Sequence, residues 1–280
     1  MSATVAQVNA ALERRYAPDL AADWDAVGLV CGDPTAVVER VLLAVDPVQV
    51  VVDEAIIGGY DMVITHHPLF LHGVSSVAAT DAKGKVVHAL IANGIALACA
   101  HTNADHANPG VSDALGRALG VRDLQPLDVL RGDTGTGRVG ELLEPVTLGE
   151  FADAVAALLP ATHHGVRVAG DLAQVVRRVA VCGGSGDSLL ALAAAAADVY
   201  VTSDLRHHRA QDHRADGGCA LVDVAHWASE WPWLEVAAAT LVDDLAGAGL
   251  AISADCSSTP TDPWTAHRPS ATLGRFLDEG

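Results

Sequence analysis

Apolar and polar positions alternate with two different periods along the chain, and the changes of period divide it into short strands and helices. Val5, Val8 and Leu12 recur at helical spacing behind a capping box of Thr4 and Gln7, so a helix is predicted at the start. The apolar run Val41-Leu-Leu-Ala-Val45 ends in Asp46-Pro47 and predicts a buried strand; residues 49–57, stopped by Gly58-Gly59, predict a helix. A strand over 62–65, a helix over 83–92 and a strand over 95–100 continue the series. The rest of the chain repeats it. A helix over 147–159 is followed by a strand over 177–182, an Ala-rich helix over 188–197, strands over 198–202 and 219–225, and a helix opening at Ser229 and running to about 245. Apolar strands separated by helices of this length indicate βαβ units and mostly parallel sheets.

Three later strands echo three earlier ones: 178–182 answers 41–46, 198–202 answers 61–65, and 219–225 answers 95–100. The displacement, roughly 125–138 positions, is too long for a solenoid and reads as a degenerate duplication. The predicted fold class is α/β, with two related lobes, 1–130 and 131–280, of mostly parallel mixed sheets flanked by helices. Residues 121–145, carrying Pro126, Gly132, Gly135, Gly137 and Pro145, are placed at the joint. The last helix and tail, about 229–280, are free to pack back on the first lobe. The tail itself, 254–280, is either an ordered cover for the cleft or a loose end. Strand ends of both lobes then face one cleft, where open α/β sheets bind ligands.

Charge narrows the partners. Thirty-five acidic and 17 basic residues give a formal charge of −18, which repels phosphate backbones and anionic lipid and favours cations. Neither a nucleic acid nor a membrane is expected as a partner. The N-terminus lacks a basic targeting region, and the longest Ala/Leu run, 188–197, is far too short to cross a bilayer, so a cytoplasmic protein is expected. Cys31, Cys99, Cys182, Cys219 and Cys256 are widely spaced without a CxxC, and read as small buried hydrophobes, with metal thiolates as the alternative.

The chemistry gathers around Asp61-Met-Val-Ile-Thr-His-His-Pro68, where a short strand runs into two adjacent imidazoles and a proline that forbids easy continuation. Three more groups stand beyond strand ends or at a helix start: His101 with Asp105, His207-His208, and His226 with Glu230. Imidazole with carboxylate is the ligand set of Zn, Fe(II) or Mn rather than Ca or Mg. Adjacent His66 and His67 diverge in direction and suit two neighbouring ions better than one, which points to a dinuclear centre. With Ser229 as N-cap, Glu230 lies at the positive end of a helix, where it either bridges cations or merely neutralises the helix start. Gly183-Gly-Ser-Gly186 is either an anion cradle or a tight turn. Trp24-Asp-Ala-Val-Gly-Leu29, by itself, reads as an apolar strand leading into a turn.

Taken together, Trp24-Asp-Ala-Val-Gly-Leu29, Ile64-Thr-His-His-Pro68, His101-Thr-Asn-Ala-Asp105, Gly183-Gly-Ser-Gly186, Asp198-Val-Tyr-Val-Thr202 and Asp223…His226…Ser229-Glu230 resemble the Nif-three-like family, whose members are often labelled GTP cyclohydrolase 1 type 2 homologues. The resemblance runs from about residue 20 to residue 230. It implies two divalent ions in the cleft, with His66, His67, Asp105, His226 and Glu230 as ligands and the glutamate bridging. It places His101 at the edge of the site, and His207 and His208 along the cleft. Ser203-Asp204 stands where Gly-Glu is common in the family, and Ala26 where Asn is frequent. The family's larger members carry an inserted domain that this chain has no room for. A homo-hexamer is also implied.

The function expected from this reading is metal-dependent hydrolysis of a small molecule, for which the family label suggests a nucleotide such as GTP. Two ions, Zn, Fe or Mn, activate water, and His101 or His208 serves as acid/base. The alternative is a non-catalytic protein that binds a metabolite through metal or handles the metal itself.

Overall fold

The computed structural model describes residues 1–268. In its first half, β1 (Ala3–Thr4) leads into α1 (Val5–Arg15), where the Thr4–Gln7 capping box forms as expected. There follow β2 (Gly28–Cys31), β3 (Val37–Val38), β4 (Arg40–Ala44), α2 (Gln49–Gly58), β5 (Met62–Thr65), α3 (Ala82–Ala92) and β6 (Ala96–Cys99). Gly59, left-handed at φ 65°, closes α2 by donating to the Ala55 and Ile56 carbonyls. Two short helices, α4 (Thr102–His106) and α5 (Val111–Ala118), then carry the chain to its second half. That half comprises β7 (Arg122–Arg131), β8 (Thr134–Thr147), α6 (Leu148–Leu158), β9 (Arg167–Ala169), β10 (Val175–Ser185), α7 (Leu190–Ala196), β11 (Val199–Ser203), α8 (His207–Ala215), β12 (Ala220–Val224), α9 (His226–Gly247) and β13 (Ser253–Cys256).

The strands form two main sheets, ordered β13-β4-β5-β6-β2 and β7-β8-β10-β11-β12-β9. In the first, β13, β4, β5 and β6 are parallel and only β2 runs against them. The second is more mixed than the pattern predicts: β10, β11 and β12 are parallel, but β7, β8 and β9 pair antiparallel. The echoing strands β4-β5-β6 and β10-β11-β12 hold the same neighbours in the same order.

Period-two alternation sorts each sheet into two faces. Leu42, Val63 and Leu97 pack with α2 and α3 on the outside, while Val41, Leu43, Met62 and Ile64 point inward. Ala180, Tyr200 and Leu221 likewise face outward with α7, and Val179, Val181, Val201 and Val222 inward. Both inner faces join one core with α1, α5 and α9, so the lobes are fused through buried hydrocarbon. Trp233, fully buried on α9, donates its indole N–H to the hydroxyl of Tyr16, the C-cap of α1, at 3.0 Å.

Two local readings are corrected, and a third, left open, is decided as far as the described residues go. Residues 121–145 are no loose joint: they belong to the β7–β8 hairpin, and the chain passes between sheets earlier, through α4 and α5. Fully buried Arg138 of β8 fastens this passage, with its Nη2 2.8 Å from the Asp113 carboxylate of α5 and its Nη1 donating to the carbonyls of Gly135 and Gly137. Second, α9 starts at His226, so Ser229 is not its N-cap and Pro232 lies in its second turn. Third, β13 adds a parallel strand to the first sheet beside β4, and Thr261 donates to Asp46 at the cleft, so the tail as far as 268 is ordered there; residues 269–280 lie outside the described residues.

Candidate metal centre

The first lobe delivers its ligands at strand ends. His66 and His67 follow β5 directly, and their backbone N–H groups still donate to Ala44 and Val45, extending the parallel ladder beyond the strand. Each ring is then fixed at Nδ1. That of His66 meets the Ala100 carbonyl at 3.0 Å, and that of His67 the Asp46 carboxylate at 2.7 Å. His101, two residues past β6, meets Asp25 at 2.9 Å in the same way. Asp25 also accepts from the Thr102 backbone N–H at 2.9 Å and from its hydroxyl, which starts α4 and brings round Asp105. Asp105 Oδ1 stands 3.7 Å from His66 Nε2.

The second lobe delivers its ligands from a helix. His226 and Glu230 are four residues apart on α9 and share a face. His226 Nδ1 is held by Asp204 at 2.6 Å, and Asp204 adopts a left-handed backbone (φ 58°) after β11. This leaves four imidazoles, each held through Nδ1 to a carboxylate or carbonyl, the arrangement that orients metal-ligating histidines through Nε2. Buried Glu230 lies among them: Oε1 is 3.0 Å from His226 Nε2 and 3.4 Å from His66 Nε2, and Oε2 is 3.2 Å from His67 Nε2.

Gly184 explains the glycine run. It sits at φ 68°, and a methyl there would lie 2.5 Å from Glu230 Oε1 and 3.2 Å from His226 Nε2. Its N–H donates to Ser229 Oγ at 2.9 Å, and its carbonyl accepts from Thr202 and Ser203. Within the run, Gly184 thus provides clearance for the carboxylate.

Electrostatics describe what the pocket does without a cation. Burial disfavours charge on His67 and His226, but the Glu230 carboxylate, joined by Asp46 at His67 and Asp204 at His226, outweighs it, so both rings hold a proton above their usual range, His226 up to about 10. Burial likewise opposes ionised Glu230, yet the surrounding imidazoles hold it well below the ordinary carboxyl range. His101 differs: burial, helped by the charge of His66, lowers its affinity for a proton. Burial also raises the Asp105 carboxyl.

These donors fit divalent cations. Ligand atoms of His66, His67 and His101 lie within 4.8 Å of one another, as do those of His67, His226 and Glu230. Donors about 2.0–2.1 Å from one tetrahedral ion stand about 3.3 Å apart. His67 and His226 present Nε2 to Nε2 at 3.2 Å, an awkward meeting for two bases and an ordinary edge for two ligands. Glu230 Oε2 is buried and lacks a hydrogen bond of good geometry despite its nearness to His67.

Comparison with known proteins identifies the family. Residues 3–263 match the family model described as Duf34/NIF3 (NGG1p interacting factor 3). The chain belongs to the Duf34/NIF3 family. A relative from Streptomyces coelicolor, named GTP cyclohydrolase 1 type 2 homolog, is 51% identical over 272 residues, covering 95% of each chain. One of the same name from Mycobacterium leprae is 36% identical over an alignment of 373 residues that covers 94% of this chain and 96% of the relative. That alignment exceeds the length of this chain, so the relative carries sequence absent here. Among solved structures, the Bacillus cereus protein related to NIF3 superposes with a TM-score of 0.87 at 26% identity, covering 95% of this chain and 99% of its own.

Within this Duf34/NIF3 chain, His66, His67, His101, Asp105, His226 and Glu230 converge. His208 does not join them: it is exposed on α8, with its ring 5.0 Å from that of neighbouring His207. Asp25, Asp46, Asp204 and Gly184 are the contributors that sequence reasoning overlooks. Asp25 lies within the Trp24–Leu29 motif, Asp204 directly follows β11, and Asp46 stands two residues past β4. All five cysteines are free and none belongs to either ligand group. Among the described residues no helix is long and apolar enough to cross a membrane.

Proposed function

We propose that the chain is a dinuclear metalloprotein with hydrolase-type chemistry, its ions (Zn, Fe or Mn) held by His66, His67, Asp105, His226 and Glu230, with Glu230 bridging. One observation carries this reading: a buried carboxylate whose two oxygens face imidazoles of both ligand groups. When bound, such a pair of ions lowers the pKa of water and polarises the group under attack.

The rest falls to the protein. Asp25 keeps the Nδ1 proton of His101 in place, and the lowered proton affinity of that ring leaves Nε2 free to accept a proton at neutral pH. As the ring becomes charged, Asp25 stabilises it. Asp46 and Asp204 hold His67 and His226 in position, and the apolar core behind them keeps the cluster rigid. The name carried by the relatives points to a nucleotide such as GTP as substrate. The family resemblance supports a cytoplasmic homo-hexamer, which light scattering on the purified chain tests directly.

Elemental analysis tests the centre. Wild type should hold about two ions per chain, whereas Glu230→Ala and His67→Ala should hold far less. His88→Ala, exposed on α3, should match wild type; equal metal in all the proteins would refute the ligand assignment. Catalysis is tested separately, with metal-loaded protein and a nucleotide panel. No metal-dependent product between about pH 6 and 9 would favour metabolite binding or metal handling instead.

A further inference from the structure

The ligands do not fill the cleft. Beside them opens a cavity of about 600 Å³, within the size range of small-molecule sites, and Asp46 and His67 line it as well as serving the cluster. Val48, Pro68 and Leu69 give it a hydrocarbon wall, and Lys83 and Lys85 line its rim, the Lys83 ammonium standing 5.8 Å from the centre of the Phe70 ring. Of the 17 basic residues in the chain, only these two are lysines. Elsewhere the chain pairs carboxylates with arginines, as at Arg15–Asp244, Arg131–Asp19 and Arg206–Asp187.

Lys83 and Lys85 are exposed near the start of α3, and among the described residues neither has a carboxylate partner within ion-pair distance. Asp81 caps that helix by accepting from Gly84 N–H at 2.8 Å, which offsets the positive helix start. Attraction for an anion therefore rests on the two side chains. In a protein of net charge −18, two lysines without a carboxylate partner on the rim of one apolar-walled cavity are a local concentration of positive charge. A lysine ammonium is a compact charge with three rotatable donors, suited to the tetrahedral oxygens of a phosphate, and two of them match a dianion better than a single carboxylate.

We propose that this cavity binds a phosphate-bearing small molecule, with its phosphate on Lys83 and Lys85, its apolar body along Val48, Pro68 and Leu69, and its reacting end toward His67. The reaction at His67 rests on the metal centre proposed above; the binding does not. The probe is 1-naphthyl phosphate, titrated by fluorescence into the metal-loaded full chain, with 1-naphthol as the uncharged control. Lys83→Met/Lys85→Met should bind the phosphate about tenfold more weakly at physiological salt, with naphthol binding changed less than about twofold and bound metal unchanged. Lys83→Arg/Lys85→Arg should retain most of the affinity. A Met double variant that binds as tightly as wild type would overturn the proposal, as would a wild type that binds naphthol and its phosphate equally. Metal content and the same titration on chelated protein keep the two readings apart. Lysine-dependent binding by a chain that takes up no metal would sink the metal centre and sustain the cavity, whereas full metal uptake with lysine-independent binding would do the reverse.

Discussion

The two sides of the cleft present ligands by different means. On the first lobe, His66 and His67 extend a parallel ladder, so backbone hydrogen bonds to Ala44 and Val45 fix where their side chains begin. On the second, His226 and Glu230 stand on the opening turns of α9, whose N-cap, Ala225, offers no side-chain cap. Their position depends on what lies alongside, and at Glu230 that is the backbone of Gly184. A ladder fixes a ligand from within its own sheet, whereas a helix ligand needs clearance from another element. Gly184→Ala attacks that difference most sharply, combining a left-handed backbone with a methyl 2.5 Å from Glu230 Oε1. It should lose most bound metal and about 1–3 kcal/mol of stability, read by elemental analysis and urea unfolding. Gly120→Ala, equally left-handed at φ 76° but with open space around it, should be strained without losing metal. Full metal content in Gly184→Ala would show that the second lobe does not depend on this clearance.

The orienting carboxylates extend the comparison. Asp46 holds His67, whose backbone is already fixed; Asp204 holds His226, which has less support of its own. Outer partners of metal-binding histidines are commonly worth about 10–100-fold in affinity. Asp204→Ala should fall near the upper end, about 100-fold, and Asp46→Ala near about tenfold, measured by competition with a fluorescent chelator. Equal losses would mean that the ladder gives His67 no advantage.

The same asymmetry governs what can be read from sequence. An apolar run ending in His-His-Pro identifies both the strand and its ligands, because strand and site are contiguous. The contribution of Asp25 is not contiguous: it holds His101 from 76 residues away, across the β2–β6 pairing. The five-residue helix α4 is too short to form on propensity alone, and begins where that distant carboxylate accepts the Thr102 N–H. Ser229 has the chemistry of an N-cap, but its hydroxyl accepts from Gly184 N–H and donates to the His226 carbonyl, so local preference points four residues past the true N-cap, Ala225. The Pro- and Gly-rich stretch 121–145 reads as a joint because turns and strands share those residues at sheet margins. Pro126 is tolerated on β7, an edge strand, and Gly135 and Gly137 take positive φ within β8, where Arg138 needs their carbonyls.

The smallest effect concerns protons, which imidazoles of both lobes hold above their ordinary range. Without metal, His226 is held up to about 10 from an ordinary 6.5, and His67 is raised in the same direction. Both rings are then charged near neutrality, and ligation must displace those protons. The folded metal-free chain binds more protons than the unfolded one across this interval. Its stabilisation by His226 is complete below about 6.5 and is lost as pH rises through about 10. Glu230 contributes oppositely: its stabilisation is present above the ordinary 4.5 and lost only as pH falls toward its depressed folded value. With neutral, ligated imidazoles, the metal-loaded fold does not share the alkaline loss. The gap in thermal midpoint between loaded and chelated protein should therefore widen from pH 6.5 to 9, and calorimetric titration in buffers of different ionisation enthalpy should register proton release. Asp204→Asn, which removes one of the two carboxylates that charge His226, should shrink both effects while leaving the His67 share in place. A gap that stays constant with pH would mean that the metal-free imidazoles are already neutral, and that Glu230 is not the group that charges them.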